Sequence, residues 1–109
     1  MPRFMLTGTY TQAGISGTIS ETLTARTKAV KKHVGALGGK LLGMYWSTGS
    51  RDSIVIVEFP DASGPVALAT TVKAAGAVDF EIVRLMDGAE FDAAQAMAAK
   101  KLKYRAPGQ

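Results

Sequence analysis

The chain has 109 residues, of which 47% are hydrophobic and 20% are charged, and its formal net charge is +4. This length and composition fit one domain with a hydrophobic core, which excludes global disorder. The absence of cysteine excludes disulfides and thiolate chemistry, and a single histidine excludes a metal site of several imidazoles, so we expect neither a metal nor a cofactor.

Strand and helix patterns alternate from the start of the chain. Residues 3–10 are rich in β-favouring side chains and predict a strand, followed by a turn at residues 12–14. A helix is then predicted to begin between residues 16 and 20, with Thr18 and Glu21 as its capping box, and to end at Gly38-Gly39. Its apolar stripe has a period of about 3.6 residues and comprises Ile19, Leu23, Val30, Val34 and Leu37.

The middle of the chain predicts a hairpin and a second helix. Residues 40–48 and 53–59 favour strands, and the short segment 49–52 between them is typical of a hairpin turn. A helix over residues 63–75 follows, and Gly76 is expected to end it in the left-handed conformation.

The last part predicts a fourth strand and a C-terminal helix. Residues 78–86 favour a strand, and Asp87 with Glu90 forms a second candidate capping box. The helix is expected to reach about Lys103, with acids in its first turn and bases in its last, an arrangement that complements the helix dipole. A single domain would therefore span residues 2–104, and residues 105–109 would form a flexible basic tail.

The element order is β-α-β-β-α-β with an extra C-terminal helix, which is the order of a ferredoxin-like α+β domain. We expect one antiparallel sheet with strand order 4-1-3-2 and both crossover helices on the same face. The third strand, residues 54–57, is apolar on both faces, whereas helices are available for only one. We therefore expect two copies to pack sheet on sheet as a dimeric α/β barrel, so that the chain's partner is itself in a homodimer or a higher homo-oligomer.

Four short patterns occur in order along the chain: Leu6-x-Gly8-Thr9-Tyr10-Thr11-x-x-Gly14, Leu37-Gly38-Gly39-Lys40, Tyr45-Trp46-x-x-Gly49-x-x-Asp52 and Phe59-Pro60-Asp61. Together they resemble the GYD-domain family over residues 2–95. The resemblance implies a dimeric α/β barrel of ferredoxin-like fold and implies little about activity, since such barrels include cofactor-free monooxygenases, isomerases, haem enzymes and ligand-binding proteins. Arg51 stands where the signature tyrosine of the family is expected, so no role of that tyrosine carries over.

Two charged residues on strands are candidates for chemistry. Glu58 has the parity of Ile54 and Ile56, so it would face the barrel and could act as a general base. The alternative, which we favour, is a charge at the end of a strand that reaches solvent or pairs with a base. Arg84 on the fourth strand could bind an acid or an anionic ligand through its guanidinium, and a ligand bridging it to Glu58 is a further hypothesis.

Three more residues complete the candidate ligand-binding set. Tyr10 and Trp46 could form an apolar wall with polar tips, although aromatic residues on strands more often belong to a core or an interface. Asp52 is most simply a turn residue that bonds the nearby backbone. His33 flanks the helical stripe and is expected at its solvent edge.

The charge pattern and the hydropathy bear on two classes of partner, nucleic acids and membranes. The bases lie on a helix flank and a helix end without interleaved aromatics, so we expect no nucleic-acid partner. No apolar run approaches the roughly 20 residues of a membrane span, and the first residues lack a signal-peptide pattern, so we expect no membrane association and a cytoplasmic location.

Three functions remain open from the sequence. The first is an oligomer that binds a small apolar or anionic molecule in its barrel. The second is a cofactor-free oxygenase- or isomerase-like enzyme that uses Glu58 or a tyrosine as its base. The third is an assembly module without a ligand, which would have a filled barrel and no cavity.

Overall fold

The computed structural model describes residues 1–109, and its elements follow the predicted order. The strands are β1 (Arg3–Tyr10), β2 (Lys40–Trp46), β3 (Ser53–Glu58) and β4 (Val78–Leu85). The helices are α1 (Gln12–Ser20), α2 (Leu23–Ala36), α3 (Ser63–Ala74) and α4 (Gly88–Lys101). The protein is thus an α+β domain, and its four-stranded sheet and β1-α-β2-β3-α3-β4 order are compatible with the ferredoxin-like fold.

The four strands form one antiparallel sheet in the order β2-β3-β1-β4, which confirms the predicted order. On β1, Phe4 and Leu6 point to the same face as Val57 and Val55, the β3 residues directly opposite them. Met5 lies opposite Ile56 on the other face. The two faces therefore carry separate sets of side chains, as the twofold period of a strand requires.

The hydrophobic core lies between one face of this sheet and helices α2 and α3. Burying each large apolar side chain there stabilises the fold by roughly 1.5–3 kcal/mol relative to leaving it exposed. The core comprises Phe4, Leu6, Val30, Val34, Val55, Val57, Phe59, Leu68 and Ala69. Both helices contribute to this cluster, so they cover the same face of the sheet, as predicted.

The prediction for the first helical region is wrong in its details. Two helices replace one, and the expected turn at residues 12–14 is the first turn of α1. Thr11 caps α1 by accepting from the amide of Gly14, and Thr22 caps α2 by accepting from the amide of Ala25. The hydroxyl of Thr22 thus starts a new helix at the point where the sequence pattern predicted a continuous one.

The predicted capping box and apolar stripe fail for the same reason. Glu21 adopts an extended backbone conformation at the end of α1, so it cannot pair with Thr18 at a helix start. The break turns α1 away from the stripe, and Ile19 is 82% exposed. Of the predicted stripe, only Val30 and Val34 are buried.

The predicted ends of the two core helices are confirmed. Gly38 and Gly76 have positive φ angles of 83° and 76°, and each follows the C-cap residue of its helix, α2 or α3. Glycine adopts this left-handed conformation without the steric penalty of a Cβ atom. The turns bring the chain back to β2 and β4 within a few residues.

Helix α4 stands apart from the core. Asp87 and Glu90 form the predicted capping box, yet no residue of α4 is buried, and Phe91 and Met97 are more than half exposed. The radius of gyration is 17.4 Å, compared with about 13 Å expected for a compact domain of this length. No helix is both long enough and apolar enough to cross a membrane.

Candidate functional site

The face of the sheet opposite the helices, here called the open face, is apolar at its centre. Met5, Ile54, Ile56 and Val83 lie there and are half-buried. Ion pairs bound the face at both ends: Arg3 with Glu58 at 3.2 Å, and Arg51 with Glu81 at 3.0 Å. No other element of the chain covers it. This is the two-faced sheet that the sequence predicted.

Glu58 lies on the open face, with the parity predicted for it. Its Oε1 accepts a hydrogen bond from Nε of Arg3, and its side chain is 20% exposed. A partly exposed pair of this kind contributes about 0.2–1 kcal/mol and gives the carboxylate an ordinary structural partner. The geometry therefore favours the strand-end ion pair over a free general base.

Arg84 lies on the helix side of the sheet, because it is directly opposite Phe4 in the register of β1 and β4. Its guanidinium lies 5.7 Å from the centre of the Phe4 ring and donates to Glu90 of α4 at 2.6 Å. The structure thus does not bring Arg84 next to Glu58, which faces the other way. Arg84 fastens the start of α4 to the sheet edge.

Tyr10, Trp46 and Asp52 are brought together by the structure. Nε1 of Trp46 donates to the hydroxyl of Tyr10 at 3.0 Å, and the amide of Tyr10 donates to Oδ1 of Asp52 at 3.0 Å. Asp52 was predicted as a turn residue that bonds backbone, and its carboxylate does so across the sheet. These contacts join the end of β1 to the β2–β3 hairpin.

Ser53, beside this cluster, was not predicted as a site residue. It is fully buried, and its hydroxyl has no hydrogen-bond partner within the protein. A buried unpaired hydroxyl costs about 1–3 kcal/mol. Ser53 borders a gap of about 20 Å³ between the sheet and the helices, whose other walls include Tyr10, Val30 and Val55.

Two larger grooves adjoin this gap. A groove of about 370 Å³ separates α2 from α3, and Leu68 and Val72 line both it and the gap. A second groove, of about 340 Å³, lies on the α1 side and shares Tyr10 and Val78 with the gap. We call the gap and the groove between α2 and α3 the crevice, bounded by Arg26, Val30, Ser53, Leu68 and Val72.

Arg26 of α2 borders all three spaces. The residue is half-buried, and it takes part in none of the four ion pairs of the protein. The acid that shares a groove with it, Glu21, is not within ion-pair distance. Exposed His33, at the solvent edge as predicted, is a further polar residue on the groove between α2 and α3.

The sequence contains a weak signal for both missed residues. Arg26 lies four residues before Val30 and eight before Val34, so all three lie on the same face of α2. A charged group therefore occupies the buried stripe. Ser53 has the parity of Val55 and Val57, so a polar group occupies the buried face of β3. A polar residue at an apolar position is the more informative departure from the pattern.

The structure shows one titratable group with a shifted pKa, and it lies away from the crevice. The hydroxyl of Ser63 and, to a smaller extent, its backbone amide hold the pKa of Asp61 below its ordinary value of 3.8. Asp61 is fully exposed at the start of α3, where its role is structural. No group of three His, Asp or Glu side chains converges as a metal site would require.

The comparisons with known proteins decide the family. The sequence model of the GYD domain matches residues 4–95, which is most of the chain. The chain belongs to the GYD-domain family. No curated protein and no solved structure matches it.

The residues that carry the GYD resemblance lie at close contacts in the fold. A Cβ atom on Gly39 would lie 2.4 Å from the ring of Phe59, and one on Gly14 would lie 2.1 Å from the carbonyl oxygen of Ala77. Asp52 bonds the amide of Tyr10, as described above. These members of the GYD pattern therefore maintain the fold.

The position of the signature tyrosine also has a structural account here. Arg51 extends over the open face, where it donates to the carbonyl of Thr7 at 3.0 Å and pairs with Glu81 of β4. It thereby links the β2–β3 turn to the far edge strand. In this member of the GYD-domain family, a charged side chain crosses one end of the open face.

Proposed function

We propose that this GYD-domain protein is a homo-oligomer whose subunits each bind a small molecule in the crevice. The observation that carries the binding proposal is the unfilled apolar space between α2 and α3, with the unpaired hydroxyl of Ser53 at its inner end. Ligand sites are typically apolar clefts of about 300–1,000 Å³ with a few polar groups, and the groove of about 370 Å³ fits that description.

The oligomer proposal rests on the open face. Its apolar centre, including Met5, Ile54 and Ile56, would be covered by the same face of a second copy. An isologous pairing of this kind is the commonest way in which identical subunits associate. The ion pairs at the ends of the face would form a polar rim around the apolar centre.

The placement of the ligand departs from the barrel site expected from the sequence. The crevice lies on the helix side of the sheet, whereas the barrel would enclose the open face. Binding is favoured over catalysis because Glu58, the candidate base, already pairs with Arg3. An assembly module without a ligand is the alternative, and it would leave the groove between α2 and α3 empty.

The emission of Trp46 tests whether the crevice binds anything. Trp46 is the only tryptophan and bonds Tyr10, which borders the gap. Octanol or octanoate entering the crevice should change its emission in a saturable way. Val72→Phe, which fills the groove from α3, should abolish the response, and Val66→Phe on the exposed side of the same helix should leave it unchanged.

A linear, non-saturating response in the wild-type protein, or equal responses from the two phenylalanine variants, would contradict binding in the crevice.

A further inference from the structure

Resting on the proposed function, we infer that the crevice takes an apolar monocarboxylate, whose carboxylate pairs with Arg26 and whose far end carries an oxygen that bonds Ser53. Three features carry the inference: a half-buried cation without an anionic partner, apolar walls, and a fully buried hydroxyl without a partner. Each supplies one part of the ligand's chemistry.

Arg26 indicates that the ligand carries a negative charge. Arg26 is half-buried and has no acid within ion-pair distance, whereas the three ion-paired arginines, Arg3, Arg51 and Arg84, each have a glutamate partner. Arg26 is the one arginine that borders the crevice. A planar guanidinium matches a carboxylate through two parallel hydrogen bonds. A single arginine also balances a monoanion, whereas a phosphate dianion would require further donors.

The apolar walls of the crevice indicate that the main part of the ligand is apolar. Leu68 and Val72 of α3 line both the gap and the groove, so an alkyl chain or a ring that runs from one to the other would contact these side chains. Each methylene group removed from water adds about 0.8 kcal/mol to the driving force in general. A ligand with an apolar body is thus held by the groove itself.

The inner end of the crevice, at Ser53, indicates a second polar group on the ligand. The gap beside Ser53 has a volume of about 20 Å³, which is room for a single oxygen-sized group. A hydroxyl or carbonyl oxygen at the far end of the ligand would give Ser53 its missing partner. An alkyl end would leave that hydroxyl unpaired, so it should bind less tightly.

Four probes separate these contributions by calorimetric titration: octanol, octanoate, octanediol and omega-hydroxyoctanoate. Octanoate should bind the wild-type protein about tenfold more tightly than octanol, and the hydroxy acid more tightly than octanoate. Arg26→Gln should reduce octanoate to the affinity of octanol and leave octanol unchanged. Lys28→Gln, an exposed cation on the same helix, should change neither affinity.

Ser53→Ala tests the inner end independently of Arg26. In this variant, the hydroxy acid and octanoate should bind equally, and octanediol and octanol should bind equally. Arg26→Lys, which keeps the charge and loses the two-point geometry, should retain part of the preference for carboxylate.

The possible failures are distinguishable. If octanol and octanoate bind with equal affinity to the wild type and to Arg26→Gln, the carboxylate inference is wrong and the binding site stands. If the hydroxy acid gains nothing over octanoate, the assignment to Ser53 is wrong. If none of the four probes binds, the proposed function itself is wrong.

Discussion

Ser53 is the residue at which the packing of the core is incomplete. Its hydroxyl is fully buried without a partner, and the cost of such a group is about 1–3 kcal/mol. Ser53→Ala removes the unpaired hydroxyl with little change in volume. We therefore predict that the free energy of unfolding, measured by urea denaturation of the ligand-free protein, rises by about 1 kcal/mol.

A matched substitution makes this prediction specific. Ser50→Ala changes an exposed serine in the neighbouring hairpin, whose side chain makes no hydrogen bond in the fold, and should leave stability within about 0.5 kcal/mol. A marked loss of stability in Ser53→Ala would mean that the hydroxyl has a partner, and it would remove one support of the proposed ligand site.

At the scale of single residues, part of the candidate site was predictable. The sequence predicts Tyr10 and Trp46 as an aromatic wall and Asp52 as a turn acid, and the structure joins the three by hydrogen bonds. The sequence predicts Glu58 by its strand parity and Arg84 by its residue type, and the register places the two on opposite faces of the sheet. Residue type indicates what a side chain can bind, whereas strand register decides what it meets.

At the scale of elements, the approach of β2 to the end of β3 depends on Gly39. A Cβ atom there would lie 2.4 Å from the buried ring of Phe59, which is too close without a backbone shift. Gly39→Ala should lower the free energy of unfolding by about 1–3 kcal/mol, the usual cost of overpacking. Chemical denaturation measures the change.

Gly35→Ala provides the control for Gly39→Ala. Gly35 lies within α2 with open space at its Cβ position, so alanine should stabilise the helix by about 0.5–1 kcal/mol. Changes of the same sign and size in the two variants would show that the contact with Phe59 does not control this position.

The start of α3 should make stability depend on acid pH. The hydroxyl and amide of Ser63 hold the pKa of Asp61 below its unfolded value, so the folded protein favours the charged carboxylate. This contribution is present above the unfolded pKa and is lost as pH falls through the lower folded pKa. Asp61→Asn should therefore destabilise the protein at neutral pH and reduce the loss of stability on acidification.

Denaturation at neutral pH and near pH 3 measures both effects of Asp61→Asn. The lower pH lies about one unit below the ordinary pKa of an aspartate side chain. Asp92→Asn, an exposed acid on α4 without a hydrogen-bond partner in the fold, is the control. An Asp61→Asn profile parallel to that of the wild type would refute the assigned contact with Ser63.

The elements themselves were predictable to different degrees. All four strands, α3 and α4 match the predicted positions within about two residues, because turn glycines and a capping box mark their ends. The first helical region was not predicted correctly. Thr22 caps a new helix there, although the apolar residues on both sides of it keep a continuous helical period. A local hydrogen bond decided that boundary, and periodicity does not detect it.

At the scale of the whole molecule, the open face should control association. Ile56 lies at its centre, so Ile56→Lys would place a charge inside a sheet-to-sheet interface. We predict that light scattering gives a multiple of 11.4 kDa for the wild type and 11.4 kDa for the variant. Val66→Lys, on the exposed side of α3, should associate like the wild type.

An unchanged mass in Ile56→Lys would locate any association elsewhere on the molecule. The two-faced pattern of β3 was readable from the sequence, since both parities are apolar. The crevice was not readable from the sequence, because the separation of α2 from α3 depends on how both helices pack against the sheet.

Native mass spectrometry of the protein mixed with octanoate tests binding and assembly most directly. We predict an oligomer of 11.4 kDa subunits that carries one octanoate per subunit, and the same oligomer with less bound octanoate for Arg26→Gln. A species of 11.4 kDa in the wild type would contradict the assembly. Octanoate retained equally by both proteins would contradict the role of Arg26 in the crevice.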